Sequence, residues 1–286
     1  MKYDYDLCII GGGAAGLTVA SGAAQLGAKV ALVSKDRLGG DCLFFGCVPS
    51  KTLIKSAKVA HMLQTADRYG IKAAEPHYDF ADVKRRIDQV ITAAGIHDDP
   101  QRFRDMGVDV IFGKADFWDI HRVSIHLTKS LEKEQQAEFT EQGNDFCVSA
   151  KQIVIATGSR PFVPPVPGMM ESGFLTNETI FSMEQMPKSL AILGAGPIGC
   201  ELAQAFARLG AKVTLLVRSG QILSKEDPDV AEYLARILTE EGVAIRYHTE
   251  LTQVANQRKG KVLTLKKEGA TEELEAENIL VATDRK

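Results

Sequence analysis

The 286-residue sequence predicts an α/β chain of two doubly wound domains, each carrying a β-meander. Three observations lead there: a strand–glycine–helix–strand pattern that occurs twice, a similar β-branched run that closes each copy, and a proline-rich stretch between them. In the first copy, the apolar strand Leu7–Ile10 leads into Gly11-x-Gly13-x-x-Gly16. A helix over Leu17–Leu26 then stops at Gly27, and Lys29–Val33 is the next strand. In the second, Leu190–Leu193 leads into Gly194-x-Gly196-x-x-Gly199, a helix over Cys200–Leu209 stops at Gly210, and Lys212–Val217 follows. The copies are offset by 183 residues, Gly11 to Gly194, and Leu26–Val30 recurs unchanged as Leu209–Val213. Ile153–Gly158 closes the first copy. Ile279–Thr283 closes the second, with Asp284 where the first has Gly158.

Between fingerprint and closing run, each copy holds alternating stretches that read as meander strands, Val123–Leu127 and Val262–Lys267. Residues 50–64 and 79–94 read as amphipathic helices, and the polar stretch Glu132–Asn144 as a hairpin or loop. Pro161–Gly168, with four prolines, is the natural linker, so the domains are expected at 1–160 and 161–286.

Bulk composition narrows the function. The net charge of -3 favours neither nucleic acid nor an anionic membrane surface. No apolar run is long enough to span a bilayer, and the glycine-broken apolar start after Asp4 and Asp6 is not a secretory leader, so a cytoplasmic location is expected. Five scattered cysteines are not an extracellular disulfide framework. Cys8, Cys147 and Cys200 read as isolated thiols. His61, His77, His97, His121, His126 and His248 have no metal-ligand spacing.

Two glycine patterns in register are a Rossmann-like dinucleotide fingerprint. The first glycine makes the turn, the second admits a pyrophosphate close to the backbone, and the third lets helix and strand touch. The helix N-terminus supplies N–H groups for the phosphates. The position that normally carries an acid for a ribose hydroxyl holds Ser34 in the first copy and Val217 in the second. Arg218 directly follows and Lys225 lies close by, so a 2′-phosphate, hence NADPH, is expected over NADH.

The most specific segment is Gly39-Gly40-Asp41-Cys42-Leu43-Phe44-Phe45-Gly46-Cys47-Val48-Pro49-Ser50-Lys51. Two cysteines four residues apart, flanked by glycines, can close a disulfide if the backbone bends between them. With both fingerprints and Ala156-Thr157-Gly158, this segment resembles the class I pyridine nucleotide–disulfide oxidoreductases, a family of flavoproteins that includes dihydrolipoamide dehydrogenase, glutathione reductase and mercuric reductase. The mercuric-reductase-like subgroup looks most similar. The resemblance extends over essentially the whole chain.

The resemblance implies an oxidoreductase with FAD in the first domain and NAD(P)H in the second. Hydride passes from NAD(P)H through FAD to a Cys42–Cys47 disulfide and on to a small disulfide or soft-metal substrate. It makes Cys47 the flavin-facing thiol and Cys42 the exchanging one, and pairs Lys51 with Glu201 as a buried ion pair beside the flavin. It places Gly11, Gly13, Ala15, Gly16, Ser34, Gly40, Asp41, Lys51, Thr157 and Gly158 at FAD. It places Gly194, Gly196, Ile198, Gly199, Val217 and Arg218 at NAD(P). No metal site and no nucleic-acid or membrane partner are implied. The thioredoxin reductases, with Cys-x-x-Cys in the second nucleotide domain, do not match.

Full-length members of this family are homodimers that continue into an interface domain carrying a His-x-x-x-x-Glu acid–base pair. That pair is not in this sequence, nor is the C-terminal cysteine pair of a mercuric reductase. The expectation is therefore a C-terminally truncated chain without the dimerisation domain. Two functions stay open: an electron-transfer unit, or a catalytically incomplete dinucleotide-binding remnant. Asp284 stands at a glycine position expected to need special backbone geometry.

Overall fold

In a computed structural model, which describes residues 2–127, 145–258 and 260–286, the chain forms two compact units. One comprises 1–44 with 91–158, the other 45–90 with 159–286. The polar stretch Glu132–Asn144 lies outside the described residues.

In the first unit, strand β1 (Tyr5–Ile10) leads through the glycines to helix α1 (Ala14–Gln25) and strand β2 (Val30–Ser34). The short helix α2 (Gly40–Phe44) follows, and later come α5 (Pro100–Asp105) and strands β3 (Val108–Phe117), β4 (Arg122–Leu127) and β5 (Asp145–Ile155). β1 pairs in parallel with β2 and with the second half of β5, and β2 pairs in parallel with the first half of β3. The outer half of β3 and the first half of β5 pair antiparallel with β4. The two long strands thus belong to the nucleotide sheet at one end and the meander at the other, and the five strands close into a ring.

Alternation along β1 sorts its side chains to opposite faces. Cys8 and Ile10 point into a cluster with Ala31, Val33, Val123 and Ile125, while Ile9 packs with Leu17, Ala20 and Phe103 under α1 and α5. The helix α5 starts with Pro100 behind the N-cap Asp99, whose carboxylate accepts from Gln101 N at 2.7 Å.

The boundary between units falls inside α4 (Phe80–Gly95). The second unit opens with α3 (Cys47–Gln64), which packs along α7 (Pro197–Arg208), the helix of the second fingerprint. Its parallel sheet has the order β12 (Asn278–Val281), β6 (Ser189–Leu193), β7 (Lys212–Leu216), β8 (Ala244–Arg246). α8 (Pro228–Glu240) lies between β7 and β8 in sequence. The meander here is a separate antiparallel sheet, β9 (Thr249–Gln257), β10 (Gly260–Lys267) and β11 (Ala270–Ala276), which buries Leu251, Val254, Leu263 and Leu265 with Ala191 and Ile279 of the parallel sheet. The short helix α6 (Met169–Ser172) adds Met169 to that core.

An ion-pair cluster ties α3, α7 and the end of α8. The Arg208 guanidinium donates to both oxygens of Glu241 at 2.8 and 2.7 Å, and His61 Nε2 lies 3.8 Å from the same carboxylate. Burial pulls the His61 imidazole below its ordinary value, against the opposing pull of Glu241.

Candidate functional site

The two glycine loops have the same construction. Gly11 has φ +119 and Gly194 φ +108, a region closed to other residues. A Cβ on Gly11 would lie 2.1 Å from the Ala156 carbonyl oxygen, and one on Gly194 2.4 Å from that of Ala282. The closing runs recognised as echoes in the sequence are thus the strands whose ends lie against the fingerprint loops. A Cβ on Gly16 would meet the Gly11 oxygen at 1.8 Å, and one on Gly199 the Gly194 oxygen at 2.0 Å. These contacts hold helix and loop together and leave no room for a side chain.

The middle glycines are different. Around a Cβ on Gly196 there is no atom within 4 Å, and around one on Gly13 only the Gly40 Cα, at 3.9 Å. Both residues are N-caps in extended conformation without a side-chain cap, and neither helix has an acid in its first turn. The N-terminal N–H groups of α1 and α7 therefore face open space with no carboxylate competing for them. A pyrophosphate fits such a cradle. Gly39 bridges Gly13, so the glycines before Cys42 form the far side of the first cradle.

Of the other residues assigned to FAD, Ala15 is exposed on the first turn of α1, and Thr157 and Gly158 are exposed just past β5. Ser34, assigned to the ribose position, is buried at the end of β2 under Gly12. Asp41 is exposed and Cys42 half-buried on α2, whereas Cys47 is exposed as the first residue of α3.

Lys51 and Glu201 meet within the second unit. Lys51 Nζ donates to both carboxylate oxygens at 2.8 and 2.7 Å. The expected burial is not found, since the side chains are 59% and 40% exposed. The pair contributes no more than about 1 kcal/mol to folding.

In the second unit a cleft of about 920 Å³ runs along the ends of the parallel strands. Gly194 and Gly196 form its floor, Val217 and Arg218 line it after β7, and Lys225 stands on the same loop. Ile198 is exposed in the first turn of α7. Val217 is buried, while Arg218 and Lys225 are exposed. The loop is held against the fingerprint: Leu223, at φ +47, donates its N–H to the Ala195 carbonyl at 2.8 Å, and the Gln221 amide donates to the carbonyls of Leu223 and Glu226.

Sequence reasoning missed two parts of this cleft. Phe162 and Pro164–Pro167, read only as linker, form one wall, and Thr249–Thr252 form another. Four prolines so close together favour a stiff segment, and that was the available signal. Asp284 also lines the cleft, but its φ is not positive, so the special geometry expected there is absent. The matching Gly158 does have φ +71.

The remaining thiols and histidines are structural or peripheral. Burial pushes Cys8 up to about 11. Cys200, read as having no partner, donates to the Ala195 carbonyl at 3.5 Å. Burial and then Glu201 push it up to about 11. Cys147 is exposed on β5. His121 stacks near Tyr3 and its Nδ1 lies 3.2 Å from the Ala150 carbonyl. No group of metal-ligating side chains occurs among the described residues, and no helix among them is long and apolar enough to cross a membrane.

A mercuric reductase of Streptomyces lividans is 34% identical over 283 residues, covering 99% of this chain and 57% of that protein. A dihydrolipoyl dehydrogenase of Zymomonas mobilis is 34% identical over 289 residues, covering 100% and 56%. Among solved structures, the HOCl-induced flavoprotein disulfide reductase RclA of Escherichia coli superposes with a TM-score of 0.79 at 29% identity, covering 98% of this chain and 57% of that one. Its Cu(II) complex superposes at 0.77. The chain thus spans about half the length of these relatives. The family model for pyridine nucleotide-disulphide oxidoreductases matches residues 5–285. The chain belongs to the pyridine nucleotide-disulphide oxidoreductase family.

Proposed function

We propose that this chain is the two-nucleotide part of a flavin-dependent disulfide oxidoreductase, with FAD at 1–160, NADPH at 161–286 and a redox-active Cys42–Cys47 pair. When bound, FAD and NADPH supply the hydride chemistry that the side chains lack. The carrying observation is the cleft of the second unit, where the open Gly196 cradle and the cations Arg218 and Lys225 line one space. The N-terminus of α7 takes the pyrophosphate, and the Arg218 fork takes a 2′-phosphate while Val217 offers a ribose hydroxyl no acceptor. The Gly13 cradle, flanked by Gly40 and Asp41, does the same for the flavin pyrophosphate, with Thr157 and Gly158 beside it. Lys51, held by Glu201, is the cation that the family resemblance assigns to the flavin.

Cys42 and Cys47 accept electrons as a disulfide and leave as thiols, Cys42 exchanging with substrate. The likeness to mercuric reductases and to copper-complexed RclA supports a soft or thiophilic metal ion as acceptor beside a small disulfide. Homodimerisation belongs, on the same reading, to full-length relatives that carry the interface domain.

The purified protein should be yellow and should bleach with NADPH. Arg218→Ala should weaken NADPH binding about tenfold or more and leave NADH binding unchanged. Equal NADPH affinity in the variant would sink the assignment. Ser34 and Val217, which stand where an acid normally grips a ribose hydroxyl, favour a second reading, a dinucleotide-binding remnant without turnover. Robust steady-state turnover with NADPH, excess FAD and a generic disulfide would dismiss that second reading.

A further inference from the structure

The strand order of the second unit gives its cleft a direction. With the sheet running β12-β6-β7-β8, the glycine loop after β6 stands between two segments. On one side, after β7, are Arg218 and Lys225, and on the other, after β12, is Ala282–Asp284. A dinucleotide with its pyrophosphate on α7 and its 2′-phosphate on Arg218 therefore extends its nicotinamide half toward the end of β12.

Asp284 belongs to the cleft lining there. Its main chain is fixed: its carbonyl accepts from Phe162 N at 2.8 Å, and Thr283 Oγ1 donates to the Phe162 carbonyl at 2.7 Å. The neighbouring cations are directed elsewhere. The Arg285 guanidinium donates to Ser159 and Asn177, and the Lys286 ammonium lies over the Phe162 ring. Among the described residues the Asp284 carboxylate has no hydrogen-bonding or ion-pair partner.

A nicotinamide ring is cationic when oxidised and neutral when reduced, and the rest of the molecule carries the same charge in both forms. An exposed carboxylate carried on this held main chain at that end of the cleft stabilises the first form relative to the second. We infer that Asp284 is a specificity-determining residue, one that makes this cleft discriminate the redox state of the nicotinamide in favour of NADP+. The inference rests on the proposal that the cleft takes NADP(H), and it deepens that proposal.

Calorimetric titration of the full chain with three ligands tests it. These are NADP+; tetrahydro-NADP, a non-reducing analogue of NADPH whose ring is uncharged; and 2′-phospho-ADP-ribose, which has no nicotinamide. The preference for NADP+ over tetrahydro-NADP should fall about fivefold in Asp284→Asn, the scale of one unit charge across a solvent-exposed gap. Asp284→Gly should show the same loss and guards against an effect peculiar to asparagine. If either variant folds and keeps the wild-type preference while 2′-phospho-ADP-ribose still binds, the inference is wrong and the cleft assignment stands. If 2′-phospho-ADP-ribose does not bind the wild-type chain, the cleft assignment fails and the inference with it.

Discussion

The two halves of this chain use one loop design in two different frames. In the first unit the nucleotide sheet and the meander are one closed ring, because β3 and β5 are long enough to serve both. In the second unit the corresponding meander is a separate three-stranded sheet stacked on the parallel one. The glycine loops are nevertheless alike to within a few tenths of an ångström in their closest approaches. The loop is therefore specified locally, by strand end, glycines and helix start, and does not depend on how the rest of the sheet is closed.

That comparison can be broken most sharply at the glycines. Gly16→Ala and Gly199→Ala each drive a methyl group into a backbone oxygen, and each should cost about 3 kcal/mol or more. Gly13→Val and Gly196→Val place their side chains in open space and should change stability by less than about 1 kcal/mol. They should instead abolish flavin retention and NADPH binding, respectively. Thermal melts with flavin absorbance and a binding titration separate the two classes. A middle-glycine variant that unfolds, or a third-glycine variant that melts normally, would end the parallel between the loops.

A smaller effect sharpens the difference at the closing runs. Gly158 has φ +71, so Gly158→Ala should destabilise the first unit by about 1 kcal/mol. Asp284 has no such backbone, and Asp284→Gly should cost no more than the added freedom of the unfolded chain, again under about 1 kcal/mol. Denaturant midpoints for the two variants, measured side by side, check this.

The third expectation uses the ion-pair cluster of Arg208, Glu241 and His61 in the second unit. Because burial lowers the folded-state value of His61, the folded form resists protonation more than the unfolded one. Its contribution is present above the unfolded histidine value, about 6.5, and is lost as pH falls from there through the lower folded-state value. Melting temperature should therefore drop more between pH 7.5 and 5.5, roughly that window, for wild type than for His61→Gln. Parallel pH slopes would mean that Glu241 already compensates the imidazole in full.

Much of this architecture was legible because the decisive features are local and repeated. Glycine spacing, the β-branched runs before the loops and the breaks at Gly27 and Gly210 all act over a few residues, so strands and helices emerged within a few residues of their ends. Lys51 and Glu201 were paired only through the family resemblance, since nothing in local spacing links residues 150 positions apart. What the sequence hid was long-range. The split of one helix, α4, between two compact units depends on tertiary packing, as does the use of β3 and β5 in both sheet and meander. The exposure of the Lys51–Glu201 pair and the hydrogen bond of Cys200 to the Ala195 carbonyl have the same origin. The backbone at Asp284 was misjudged because a repeat predicts equal geometry at equal positions. Here residue type and pairing with Phe162 decided it instead.

The pairing of β1 with β5 also has a consequence for synthesis. Leu7 lies opposite Gln152, so the central strand of the first unit waits for about half the chain to be made before its second neighbour exists. In the second unit Leu190 lies opposite Asn278, a much shorter wait. On a ribosome β1 therefore spends the longer time with one edge open, and its apolar Leu7–Ile10 is a natural segment for early chaperone capture. The ring that closes the first unit completely when folded is thus the part of the molecule that emerges least protected.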